Sequence, residues 1–194
     1  MDVVLVGFIV GYIYAGFRTG FLLRLLGIAF LGIAFVASAY IRVPIGVIAS
    51  TFFPSIPSDY ANLVGQAIAF PAILVALHIA RHVVMGDVKV HGMVAEGTDK
   101  LLGAILGGVE AILILSAGIV ILDTYFGTSS TLGPEFHSGF LKSFTEAVNA
   151  SETVKILRAT TVPFVLAVLG PLLPKDISTI FPSGLPTRLP FPNP

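Results

Sequence analysis

The sequence predicts an all-α integral membrane protein: four transmembrane helices followed by an interfacial or re-entrant C-terminal helical segment. Three observations carry that expectation. Of 194 residues, 55% are hydrophobic and only 11% are charged, less than half the roughly 25% that a water-facing surface carries. The eleven basic and eleven acidic residues cancel, so the basic surplus that binds a phosphate backbone is missing and no nucleic-acid partner is expected. Four stretches approach the ~20 apolar residues that cross a bilayer. The bilayer itself is therefore the first expected partner. With no cysteine there is no disulfide framework, thiolate metal site or cysteine nucleophile.

The first span covers about residues 3–17, between Asp2 and Arg18. A cleaved signal peptide would begin with a positive region, whereas the first base here follows the apolar run, so the stretch reads as a retained anchor. Arg18, Thr19 and Gly20 form a tight hairpin, which predicts that the first two spans pack as antiparallel neighbours. The second span, about 21–41, carries Arg24 in its first turn. The segment from Arg42 to Asp59, rich in proline and aromatic residues, reads as a connection at the headgroups. The third span, about 63–84, carries Gln66, Pro71, His78, Arg81 and His82; the fourth, about 101–122, holds Glu110 before Asp123. The spans make up a transmembrane domain over residues 1–125.

Beyond it, 126–175 reads as an amphipathic and interfacial region. Phe140, Phe144 and Val148 share one side of a surface helix, with Lys142, Glu146 and Asn149 elsewhere. Residues 160–173 are apolar but interrupted by Pro163 and Pro171, and about 14 residues is short for a span. The tail, 176–194, is punctuated by proline from Pro182 onward and reads as extended. Lysine and arginine near the span ends favour one side: Arg18, Arg24, Arg81, Lys89 and Lys100 against Arg42 and Lys142. The positive-inside rule then places both termini outside the cytoplasm.

Lipid gives helices no hydrophobic reason to associate, so small residues that allow close backbone contact mark packing faces. Gly7, Gly11 and Ala15 recur at four-residue spacing, as do Gly103 and Gly107; Gly20, Gly27, Ala34 and Ser38 share a stripe with Arg24. Such faces serve packing within one bundle or contact with a second copy or another membrane protein.

A carboxylate facing lipid costs several kcal/mol, so Glu110 must point into a bundle. At ~1.5 Å per residue it lies about 13 Å from the start of its span, His78 about 9 Å and Arg24 about 5 Å from the same membrane side. These three polar groups form a candidate intramembrane cluster, read either as a structural ion pair of Arg24 with Glu110 or as a proton relay through Glu110 and His78. His78 and His82 also have the i, i+4 spacing of two metal ligands, with His91 and Glu96 as further donors, but Ile79 stands where a metalloprotease has its glutamate. The alternative is a pair of histidines at a helix end beside Arg81, and no metal is expected. Thr98 or Asp99 is suited to cap the fourth helix. Asn149-Ala150-Ser151 matches a glycosylation acceptor. No phosphate-cradling loop, serine elbow or paired carboxylates appear, so no enzyme, catalytic residue or cofactor is expected.

Two motifs resemble a known family. Gly16-Phe17-Arg18-Thr19-Gly20-Phe21 looks like its Arg-x-Gly-Phe hairpin, and Asp99-Lys100-Leu101-Leu102-Gly103 with Gly107 looks like its acidic-basic-x-x-Gly-x-x-x-Gly start of helix four. The family is the bacterial colicin V production proteins, small four-helix proteins of the inner membrane, and the resemblance covers about residues 2–125. It implies a non-enzymatic scaffold or accessory component in toxin production or export and in envelope maintenance. It departs at Glu110, where a basic residue is expected. Against this stand a small proton- or solute-conducting transporter using Glu110, His78 and Arg24, and an intramembrane metalloenzyme.

Overall fold

The computed structural model describes residues 1–52, 58–85, 96–126 and 140–174. These fold into six helices: α1 (Asp2–Thr19), α2 (Phe21–Phe52), α3 (Ser58–Met85), α4 (Glu96–Phe126), α5 (Phe140–Ala150) and α6 (Glu152–Leu169), the last continuing into a 3₁₀ turn at Gly170–Leu172. Five of the described helices, all but α5, are long and apolar enough to cross a membrane. The chain is an all-helical membrane protein. Lys89, His91 and the tail 176–194 lie outside the described residues, as do the side chains of His82, Glu96 and Lys142.

Several helices outrun the expected spans. Residues 42–52, expected as a headgroup-level connection, extend α2 straight through Pro44. Proline removes one backbone hydrogen bond, but contact with α3 compensates. A Cβ at Gly65 would overlap the carbonyl of Arg42, and one at Gly46 the carbonyl of Ala61, so the two backbones touch. The expected break at Pro163 is also absent. Residues 152–169 form one helix of 18 residues, which lengthens the segment expected at 160–173 to a span's dimension. Its start is set by Ser151, whose hydroxyl accepts from the Val154 N–H at 3.3 Å, a side-chain N-cap.

The expected pairing of the first two helices gives way to another arrangement. α1 packs along α4 and meets α2 only near the hairpin; α3 packs almost entirely on α2. α4 is thus the central helix, contacted by α1, α2 and α6. Lipid supplies no driving force for sequence neighbours as such, and α4 presents to α1 the glycines that α2 does not. The core lies around Leu31, Ala34 and Phe35 of α2, Ala117 and Val120 of α4, and Leu157 and Val162 of α6, so α6 shares one core with the earlier helices. Phe35 and Phe70 meet edge to face there, centroids 6.2 Å apart. Helix α5 is amphipathic, with Val148 buried and Glu146 and Asn149 exposed.

Candidate functional site: a polar joint of three helices

Where α1 ends and α2 begins, both meet α4 at backbone distance. A Cβ at Gly107 would stand 3.1 Å from Gly16 Cα, and one at Gly103 only 2.9 Å from Gly20 Cα. Neither position accepts any side chain. Gly7 and Gly11 are different: among the described residues a Cβ on either would meet nothing within 4 Å. Of the two uses open to this stripe, packing inside the bundle has no contact here: α1 turns the face of Tyr12 and Gly16 to α4, and among the described residues the Gly7–Gly11 face is open.

Gly20 is not part of a helical stripe with Arg24, because it breaks the two helices apart with φ +86°, a left-handed conformation that glycine adopts without penalty. Beside it, the Phe21 N–H donates to Asp99 Oδ1 at 3.1 Å. Asp99 therefore caps α2 rather than its own helix. The reason is positional: α4 begins at Glu96, so Asp99 sits inside its first turn while the bare start of α2 lies opposite. A Cβ on Gly20 would run into the Asp99 carboxylate. Lys100, the next residue, is half-buried, and Arg18 is exposed in the last turn of α1.

One turn further into α2, Arg24 Nη1 donates to Glu110 Oε2 at 2.5 Å, with the two side chains only 13% and 5% exposed. The guanidinium carbon lies 5.4 Å from the ring centroid of Tyr12, within cation–π range, and Tyr12 packs on Phe8 at 4.7 Å. Gly27 makes room for the acid, since a Cβ there would stand 2.7 Å from Glu110 Oε1. The guanidinium is thus clamped between a carboxylate from α4 and an aromatic face from α1. Arg24 Nε is buried without a hydrogen-bond partner among the described residues.

His78 stands half-buried on α3, one turn before Arg81, whose Nη1 donates to the Leu23 carbonyl at 3.4 Å. Because α3 packs on α2 and scarcely touches α4, His78 belongs to the α2–α3 side of the fold. Among the described residues no three His, Asp or Glu side chains gather as a metal site.

Two polar joints at the opposite end escaped the sequence reading. Arg158 of α6 donates from Nε to Asp123 Oδ2 at 3.0 Å and from Nη2 to Asp123 Oδ1 at 2.5 Å, and its Nη1 donates to Asn149 Oδ1 at 2.7 Å. It thereby fastens α4, α5 and α6, and it engages the asparagine of the glycosylation-like tripeptide. Asp2 Oδ1 accepts from Ser151 Oγ at 2.7 Å, Thr153 N at 2.9 Å and Thr153 Oγ1 at 2.8 Å, pinning the start of α1 to the start of α6. The available signal was Arg158 itself, a charge entering an apolar run as Arg24 does.

Neither a curated protein nor a solved structure matches the chain. A family model described as colicin V production protein matches residues 1–168, well past the 2–125 covered by the motif resemblance and through nearly all of α6. The chain belongs to the colicin V production protein family.

Proposed function

We propose that this protein is a non-enzymatic scaffold of the bacterial inner membrane, its N-terminus outside the cytoplasm, serving toxin production or export and envelope maintenance. The observation that supports the reading is the division among its glycines. Gly16, Gly103 and Gly107 are consumed by contact between α1 and α4, whereas Gly7 and Gly11 meet nothing among the described residues. Glycine in a helix costs about 1 kcal/mol relative to alanine, and in a bilayer a bare notch is useful against another helix. The Gly7–Gly11 face is then where another membrane protein, or a second copy, docks. Glu110 is held by Arg24, which supports the structural role of that pair over a proton relay through Glu110 and His78.

The test is complementation of a deletion strain under envelope stress, with membrane expression checked for each variant. Gly7→Leu/Gly11→Leu, placed where a Cβ meets nothing among the described residues, should express and fold normally yet fail to complement. Full rescue by that variant would sink the docking face. A variant Glu110→Gln that folds like wild type but fails to complement would instead support the conducting role.

A further inference from the structure

We propose that the cleft between α2 and α6 is a binding site for one phospholipid acyl chain. α6 packs along α4 but stands off α2, because its fastenings, Arg158 to Asp123 and Ser151 with Thr153 to Asp2, all lie at its first end. Between the second half of α6 and α2 lies a half-open cavity of about 180 Å³. Gly32, Phe35, Leu113, Phe164, Val168 and Leu169 are among its walls, and every lining residue is apolar or glycine. A wider apolar groove continues from it past Ala29 and Ile33 to Leu172.

What fills this space follows from its width and chemistry. Apolar cavities of ~150 Å³ stay dry and take up small hydrocarbons, so water is no occupant. A Cβ on Gly32 would stand 4.0 Å from Leu169 Cδ2, at ordinary van der Waals contact, so the cleft is closed between those two residues and open only beside them. An α-helix, ~10 Å across with its side chains, cannot enter, and a partner helix is excluded from the depth of the cleft. Phe164, Val168 and Leu172 are each more than half exposed along the mouth, continuous with the lipid-facing surface. A flexible hydrocarbon chain enters from the side, satisfies the bare walls by dispersion contact, and takes the place that an Ile or Leu at residue 32 would hold. Gly32 is then the residue that keeps the site open.

The experiment uses the full chain in vesicles of phosphatidylethanolamine and phosphatidylglycerol, with a trace of phosphatidylglycerol bearing a diazirine on one acyl chain. After irradiation, adducts are mapped by peptide mass spectrometry. Labelling at residues 28–35 and 164–169 should exceed that at the freely exposed Val3 and Val83 at least threefold. Gly32→Leu, filling the cleft from α2, and Val168→Phe, filling it from α6, should each bring the excess down to the level of those two valines. Absence of the excess in wild type overturns the proposal by itself. So does an excess that persists in either filled variant while its helical circular dichroism and melting match wild type. A crosslink between two copies at these residues, in place of a lipid adduct, also overturns it.

Discussion

Replacing Glu110 alone by leucine strands the Arg24 guanidinium in a site where only 13% of that side chain is exposed. Breaking one partner of a buried ion pair costs about 3–5 kcal/mol, whereas exchanging both partners for apolar residues is often neutral or favourable. The local shape suits the exchange. Gly27 leaves bare backbone beside residue 110, and Tyr12, stripped of its cation, still has an apolar ring to offer. Glu110→Leu should therefore lose about 3–5 kcal/mol, and Arg24→Leu/Glu110→Leu should return to within about 1 kcal/mol of wild type. Unfolding in mixed dodecyl sulfate micelles, followed by helical circular dichroism, reads both, and the four-variant cycle isolates the coupling. A double variant as unstable as the single one would refute the reasoning, because the arginine would then owe its place to Tyr12 or to groups other than Glu110.

Further expectations concern the other contacts. Gly103→Val forces apart backbones that already touch at Gly16 and Gly20, and should cost about 3 kcal/mol, the upper range of overpacking, in the same titration. Asp99→Ala removes the cap of α2 and should cost about 1 kcal/mol, visible as faster hydrogen exchange at Phe21. Arg158→Lys gives up the two-pronged hold on Asp123 together with the bond to Asn149; a loss of about 1–3 kcal/mol is expected. Asp2→Asn weakens the acceptor for Ser151 and Thr153, and exchange at the Thr153 amide should accelerate while the Gly103–Gly16 contact is unaffected.

That Arg24 and Glu110 require partners was legible in the sequence, because a bilayer tolerates no exposed charge and few residues compete for the role. Composition sufficed for the all-helical membrane class on the same ground. The partner of Asp99 was not legible, since local capping rules look three residues ahead and this carboxylate serves an amide 78 positions away. Proline rules failed at Pro44 and Pro163 for a related reason: contact with other helices holds α2 and α6 through positions where an isolated helix would break. α6 was concealed by Glu152, Lys155 and Arg158 in its first two turns, charges that are met by one another and by Asp123. Periodicity found the stripe of Gly7, Gly11 and Ala15, yet spacing cannot say which side of a helix meets its neighbour. The contact face includes Tyr12 and Gly16, one residue along from that stripe.

The separation of Arg24 from Glu110 has a consequence for biogenesis. The two lie 86 residues apart, and at roughly 5–20 residues per second the ribosome takes about 4–17 s to make the acid after the base. With an equal delay between synthesis and insertion for each residue, Arg24 waits in the membrane for about that long with no Glu110 to meet it. Its place in the first turn of α2, four residues beyond Gly20, makes the wait tolerable, because a long side chain so near the boundary extends its charge to the aqueous side until α4 is inserted. The same residue twelve positions deeper would have no such refuge. The depth of this arginine is therefore constrained by the order of synthesis as well as by the finished contact, and moving the Arg–Glu pair together toward the bilayer centre should reduce insertion yield even where the folded protein accommodates it.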